Sequence, residues 1–216
     1  MVTQRSPKLD KKQVVDTALR LLNEVGLDGL TLRAIAKELN VQAPALYWHF
    51  KNKQALLDEM ATEMYRRMVA DAGIPPGVSW QERLLLGQRG LRRSLLGYRD
   101  GAKVFSGSRF TGTEHAVEME LNLRALLDAG FTLPQAARAS ATVYLFTIGF
   151  VTEEQGVQPL PGERREGYDI EERAARMAAY PLAAAVGAEV FQGYDEGFEE
   201  GLRLVIAGIE ARYGIS

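Results

Sequence analysis

Three successive residues, Tyr47, Trp48 and His49, could bind another molecule through exposed aromatic rings. Leu46 and Phe50 lie four residues apart and share one helix face, so the three side chains between them spread over the remaining surface. A solvated helix surface normally carries lysine, glutamate and glutamine, which makes this run unusual. One interpretation is a binding surface. The other is that these aromatic side chains belong to the core of a small bundle, which the spacing favours only for Leu46 and Phe50.

The surrounding segment has the pattern of two short helices joined by a sharp turn. The first helix has apolar residues at positions i, i+3, i+4 and i+7, namely Leu32, Ile35, Ala36 and Leu39. Thr31 is a favourable N-cap, and Asn40 can adopt the left-handed conformation that ends a helix. A second helix opens between Gln42 and Pro44, and Lys53 follows it. The pattern predicts a helix-turn-helix that binds double-stranded DNA, with cationic side chains on the phosphates.

The rest of the chain shows helical periodicity, and no segment alternates like a strand. We therefore predict an all-α protein of nine or ten helices. Residues 1–9 are predicted to form a basic arm, and a first helix, opened by Asp10 and ended by Gly26, would brace the helix-turn-helix. The run GIPPGVS at 73–79 stops any helix, so we place a domain boundary near residue 70, between domains 1–70 and 71–216.

Composition narrows the possible functions. The 216 residues include no cysteine and two histidines, so we expect no cofactor and no metal site. The start of the chain lacks an apolar segment and no apolar run reaches a membrane span, so we expect a cytosolic protein without membrane contact. Residues 1–68 hold 11 Lys and Arg against 8 Asp and Glu, a charge of +3, and the remainder carries −5. The basic excess accompanies the helix-turn-helix.

Motifs of enzymes are missing from the sequence: it has no G-x-S-x-G, no phosphate-binding loop and no H-E-x-x-H. We therefore expect a protein that is not an enzyme. An all-α enzyme with an unfamiliar site stays an alternative, and a helical protein-interaction module without a DNA role is another.

The segments LTLRAIAKELNV and APALYWHFKNKQALLDEMA resemble the DNA-binding domain of the TetR family of bacterial repressors. The run LYWHFKNK is especially similar to the tetracycline repressor class. WQERLLLGQRGLRRSLLGYRDGAKV, LLDAGFTL and FTIGFVTEEQ are similar to the regulatory domain of the same repressors. The resemblance covers residues 8–155 well and the rest loosely. It implies an N-terminal helix-turn-helix three-helix DNA-binding domain, followed by a larger α-helical ligand-binding and dimerisation domain.

This resemblance implies DNA contacts for particular residues. Arg33 matches an arginine that reads guanine. The expected DNA-binding set is Thr31, Arg33, Gln42, Ala43, Pro44, Ala45, Tyr47, Trp48, His49 and Lys53. Two positions depart from the family: Ala43 stands where tetracycline repressors carry a base-reading glutamine, and Ala45 where they carry threonine. We therefore do not expect a tetracycline operator.

A small-molecule effector is also implied, but not magnesium-tetracycline. Phe105 stands where tetracycline repressors carry a metal-ligating histidine, and a phenyl ring has no lone pair for a cation. Val69, Gly87 and Leu91 replace other drug-contacting residues of the family. The expected ligand-binding set is Met64, Val69, Gly87, Leu91, Phe105, Ser108, Arg109, Phe110 and Glu153. These residues suggest a largely hydrophobic or aromatic effector oriented by Arg109 or Glu153. The alternative is that they fill the core and no effector exists.

Finally, the resemblance implies a homodimer, in which helices near 133–152 and 194–213 form a four-helix bundle with their symmetry mates. Their long apolar faces, which include Ile206 and Ile209, exceed what one small domain can cover. Two recognition helices about 34–36 Å apart would enter successive major grooves of a palindromic operator. Effector binding would move the helix at 53–68 and change that separation.

Overall fold

The computed structural model describes residues 9–71 and 73–215, so residues 1–8 of the predicted basic arm lie outside the described part. Within these ranges the chain is all-α and contains eleven helices, one or two more than predicted. They are α1 (Lys11–Gly29), α2 (Leu32–Glu38), α3 (Ala43–Tyr47), α4 (Lys53–Asp71), α5 (Trp80–Leu96), α6 (Gly101–Phe105), α7 (His115–Asp128), α8 (Leu133–Val157), α9 (Ile170–Arg176), α10 (Pro181–Val190) and α11 (Tyr194–Tyr213).

Local sequence signals set many of the helix ends. The carboxylate of Asp10 accepts from the N–H of Gln13 at 2.6 Å and caps α1. Thr132 and Gln135 form a capping box at the start of α8. The first regular stretch of α1 ends at Gly26, as predicted, because its φ of 69° and ψ of 177° are not helical; a short helical segment then continues to Gly29. Glycine tolerates this left-handed backbone, so the break in the helix falls there.

Two hydrophobic clusters hold the helices together. The first begins among α1, α2 and α3 with Leu22, Ile35 and Leu46, which are fully buried. It continues across α4 to Leu95 on α5 and Val151 on α8. The second joins α5, α7, α8 and α11. The connecting helix α4 therefore packs against both the N-terminal helices and the larger helical part, and a shift of α4 would be transmitted to both.

Candidate DNA-binding surface and effector region

The turn between α2 and α3 has the geometry that its sequence predicts. The hydroxyl of Thr31 accepts from the N–H of Ala34 at 3.0 Å and caps α2. Asn40 has a φ of 52°, and the N–H of Val41 then donates to the carbonyl of Ala36 at 2.9 Å. Asparagine tolerates this left-handed conformation better than most residues. The chain therefore reverses sharply and presents α3 at an angle to α2.

One side of helix α3 packs against the core, and the other side faces solvent. Leu46 and Phe50 are buried at 0% and 1% exposure, so the opposite side of the helix faces solvent. Tyr47 is 53% exposed and Trp48 is 90% exposed. The alternative that these two rings belong to a core is wrong. A tryptophan this exposed leaves a large apolar surface uncovered, as expected for a binding surface.

The remaining residues of the predicted DNA-binding set lie around this surface. Arg33 and Gln42 are exposed on α2 and at the start of α3, and Pro44 is exposed in the first turn of α3. Ala43 and Ala45 are half-buried, and so is His49. The exposed positions of this set therefore include a cationic side chain, an amide and a proline ring.

Lys53 is placed differently from the rest of the predicted set. It is half-buried, and its Nζ donates to the backbone carbonyl of Leu27 at 2.6 Å. This bond joins the first residue of α4 to the end of α1. In this structure Lys53 therefore positions the helices that support α2 and α3, a role that its sequence position did not reveal.

Four apolar residues of the predicted effector set lie close together where α4, α5 and α6 pack. Met64, Leu91 and Phe105 are buried at 0%, 5% and 6% exposure. The ring of Phe105 lies 5.5 Å from that of Phe110, between ring centroids. These four side chains lie in one apolar region, where Phe110 packs against the buried core formed by the other three.

Two aromatic residues of this region were missed by the sequence reasoning. The Phe110 ring lies 5.0 Å from the ring of Tyr65 and 4.9 Å from the ring of His115. Burial, and to a lesser extent the charge of Glu118, raises the pKa of Tyr65 to about 12. Tyr65 was overlooked because only its neighbour Met64 fell on the predicted apolar stripe of α4. We call Tyr65, Phe105, Phe110 and His115 the aromatic cluster.

The polar members of the predicted set do not converge on this cluster. Ser108 is bonded to the carbonyl of Val104 at 2.6 Å, and Arg109 is exposed. Glu153 is also exposed in the single chain. The neighbouring Glu154 is buried instead and accepts two hydrogen bonds from Arg92, at 2.7 and 2.9 Å. Neither Arg109 nor Glu153, the two residues expected to orient an effector, is therefore buried beside the cluster within one protomer.

Half-buried Val69 and Gly87 complete the predicted set. A Cβ added to Gly87 would meet no atom within 4 Å, so no neighbour requires a glycine there and the space beside it is open. Two concavities of 490 and 350 Å³ lie elsewhere: one is between α5 and α11 beside Arg89 and Arg92, and the other is between α8 and α11. Neither concavity is lined by a residue of the predicted effector set.

The loop after α6 is bonded directly to α4. The N–H of Arg109 donates to the Asp58 carboxylate at 3.0 Å, and the N–H of Thr111 donates to the Thr62 hydroxyl at 2.9 Å. The Thr111 hydroxyl donates to Glu59 at 2.7 Å. Sequence reasoning missed these partners because they are about 50 residues apart along the chain. We call residues 106–112 the α6–α7 loop.

A second junction joins the larger helical part to α1. The Asp100 carboxylate accepts from the N–H of Leu27 at 3.0 Å, and Asp100 itself has a left-handed φ of 55°. Burial alone would raise the pKa of Asp100, but the Leu27 N–H and the Lys103 ammonium together lower it. Leu27 thus receives one hydrogen bond from Lys53 and gives one to Asp100. Movement of α4 or α6 would act on this residue.

An exposed helix-turn-helix attached to a larger helical bundle defines a DNA-binding regulator. The family model "Bacterial regulatory proteins, tetR family" matches residues 14–60. A second, "Tetracyclin repressor-like, C-terminal domain", matches residues 74–213. The chain therefore belongs to the tetR family and is a helix-turn-helix transcriptional repressor with a ligand-binding domain. Members of this family are regulators, so the chain is not an enzyme.

Individual relatives extend over nearly the whole chain. The tetracycline repressor protein class A from transposon 1721 of Escherichia coli is 40% identical over 205 residues, which is 95% of this chain and 92% of the relative. A structure of a possible TetR family transcriptional regulator from Streptomyces coelicolor is 37% identical with a TM-score of 0.80, covering 94% of this chain and 99% of that one.

A third relative was solved with a drug. A TetR variant from Acinetobacter baumannii, in complex with minocycline, is 35% identical with a TM-score of 0.73 and covers 94% of this chain and 98% of that one. As for membranes, none of the helices within residues 9–71 and 73–215 is both long and apolar enough to span one.

Proposed function

We propose that this repressor binds a palindromic operator as a homodimer and leaves it when a small, largely apolar effector binds. The observation that carries the proposal is the direct bonding of the α6–α7 loop to α4. The aromatic cluster lies at one side of that bonded contact, and the helix-turn-helix is attached to the other end of α4. A ligand that displaces the cluster would therefore move α4 and, with it, the helix-turn-helix.

Support for the dimer comes from the outer faces of α8 and α11. Leu145 is 64% exposed and Leu204 is 68% exposed, while small residues such as Gly149 and Gly208 leave the adjoining helix surfaces shallow. Exposed leucines on two long helices are expected where helices of a second copy pack. A two-fold arrangement of such helices would place two α3 helices for successive major grooves.

The sequence pointed to the wrong side of α11 for this interface. Ile206 and Ile209 are only 5% and 7% exposed, and they pack in the second hydrophobic cluster of their own chain. They stabilise the protomer and are not available to a partner. Leu204, on the opposite side of the helix, is the residue that a partner would cover.

The effector chemistry follows from the surroundings of the cluster. Phe105 offers no lone pair to a cation, and neither does the neighbouring ring of Phe110. The rings of Tyr65 and His115 are paired with Phe110, and not with Phe105, which stands where the replaced histidine would be. The similar Acinetobacter protein is in complex with minocycline, but the replacement of the metal-ligating histidine argues against the same effector class here. A flat, largely uncharged aromatic molecule matches these rings better.

The test is a ligand titration of the protein bound to a fluorescent duplex selected from a random pool. We expect magnesium and tetracycline at micromolar concentrations to leave the complex intact, and planar aromatic compounds to release the DNA. Metal-dependent release by sub-micromolar tetracycline would overturn the effector assignment. A Phe105→His variant is the matched comparison, because it restores a nitrogen ligand at the position and should gain sensitivity to magnesium-tetracycline.

A further inference from the structure

A cavity of 490 Å³ between α5 and α11 lies outside the predicted effector set. Its volume is within the roughly 300–1,000 Å³ that ligand pockets usually have. Part of its lining is apolar and comes from Leu96 of α5, Phe198 of α11 and Pro161 in the loop after α8. The rest is mostly charged and includes three arginines of α5, namely Arg89, Arg92 and Arg93. We call it the arginine-lined cavity.

Two of these arginines are held by ion pairs with two hydrogen bonds each. Nε and Nη2 of Arg89 both donate to the Glu199 carboxylate at 2.6 Å. Nε and Nη2 of Arg92 donate to Glu154, which is 4% exposed, at 2.9 and 2.7 Å. A planar guanidinium that is paired in this way has a defined position and orientation. The cavity therefore presents a firmly placed Arg92 whose remaining nitrogen, Nη1, can bind another group.

The partner of that remaining nitrogen is a weakly held carboxylate. Nη1 of Arg92 donates to Asp195 at 2.7 Å, but the Asp195 side chain is 90% exposed. Exposed ion pairs contribute little to stability, because water solvates both groups when they separate. A carboxylate that enters the cavity can therefore take the place of Asp195 at little cost.

Arg93 supplies a second group of donors beside this position. It is exposed, and no carboxylate within residues 9–71 and 73–215 forms an ion pair with it. It follows Arg92 directly in α5, and guanidinium groups form charge-assisted hydrogen bonds with carboxylates. Apolar surface lies next to these donors, because the guanidinium carbon of Arg92 is 5.1 Å from the centre of the Phe198 ring. Such a lining suits a ligand with one acidic group and a hydrocarbon body.

We propose that the arginine-lined cavity binds a small organic acid. Its carboxylate displaces Asp195 from Arg92 and pairs with Arg93, and its hydrocarbon body lies against the apolar lining. The cavity does not contain the aromatic cluster, so this inference goes beyond the proposed function and does not depend on it. It is also open in the proposed dimer, because Glu199 precedes Leu204 by five positions and lies about 140° away around α11.

The experiment is isothermal titration of the full-length protein with cyclohexanecarboxylate, and separately with its uncharged isostere cyclohexanecarboxamide. We expect one saturable site per protomer for the acid, and binding of the amide that is weaker by roughly tenfold or more, because the charge-assisted hydrogen bonds are lost. The saturated ring is not flat and the acid is charged, so this probe is a poor match for the aromatic cluster.

Two variants of exposed residues should shift the affinity for cyclohexanecarboxylate in opposite directions. Arg93→Gln should weaken it by roughly fivefold, because a guanidinium partner is lost. Asp195→Asn should strengthen it by roughly threefold, because the competing carboxylate is removed. Arg124→Gln and Asp128→Asn change exposed residues of α7 in the same ways and are the matched controls, which should bind like the wild type. Thermal unfolding should be unchanged in all four proteins.

Several results would overturn the proposal. Equal binding of the acid and the amide would show that no carboxylate is recognised, and the absence of saturable binding at millimolar concentrations would exclude the site. Weaker binding by Asp195→Asn would show that Asp195 does not compete with the ligand. If Arg109→Gln weakens binding and Arg93→Gln does not, the acid occupies the predicted effector region and not the arginine-lined cavity.

Discussion

Leu204→Asp should separate the proposed dimer into folded monomers. Leu204 is 68% exposed in the protomer, and full burial of a leucine side chain stabilises by about 1.5–3 kcal/mol, so covering the exposed part contributes roughly 1–2 kcal/mol. The two-fold axis doubles this to roughly 2–4 kcal/mol, even before the cost of burying two carboxylates near one another. The dissociation constant of the dimer should therefore rise by a factor of about 30 to 1,000.

Sedimentation across a concentration series measures this shift, and thermal unfolding of the same samples supplies the control. Ile206→Asp is the matched comparison, because Ile206 lies on the same helix but is 5% exposed within its own chain. It should lower the unfolding temperature severely, since it places a charge in the second hydrophobic cluster. A Leu204→Asp protein that stays dimeric at nanomolar concentration would show that the interface lies elsewhere, and a wild-type protein that is monomeric at micromolar concentration would exclude the proposed dimer.

Two further results are expected. Arg33→Ala should cost about 1–3 kcal/mol in operator binding and relax the preference at one base pair per half-site, which competition binding measures. Lys53→Ala should weaken binding to all sequences and also lower the free energy of unfolding, because the carbonyl of Leu27 loses its partner. Urea titration measures the second effect, and an unchanged free energy of unfolding for Lys53→Ala would argue against the bond between α4 and α1. The pKa of Asp100 is lowered in the folded state, so its contribution to stability is present above its ordinary pKa of 3.8 and is lost as the pH falls through the folded pKa. The loss of stability caused by Asp100→Asn should therefore be larger at pH 7 than at pH 3. A loss that is larger at pH 3 would contradict a lowered pKa.

Local features of the fold could be predicted from the sequence, because they depend on residues a few positions apart. The left-handed Asn40, the capping box at Thr132 and the outward aromatic side chains of α3 are of this kind. Each is determined by backbone preference or by helical spacing, which a single sequence displays.

Other features depended on contacts between distant segments and could not be predicted. Lys53 was predicted to contact DNA, and nothing in the sequence indicates that its ammonium group donates to the backbone carbonyl of Leu27, 26 residues away. Helix α11 has apolar residues on two sides, so periodicity alone did not tell Ile206, which faces its own core, from Leu204, which is exposed. Glu153 was predicted to contact an effector, but it is exposed. The adjacent Glu154 is buried and bonded to Arg92, which is 62 residues away in the sequence.

In the proposed complex, two α3 helices related by a two-fold axis bind one face of a DNA duplex. The most direct measurement compares the selected inverted repeat with a duplex whose half-sites are moved apart by five base pairs, which is about half a helical turn and places them on opposite faces. We expect this insertion to lower the affinity to that of a single half-site. Equal affinity for the two duplexes would contradict it.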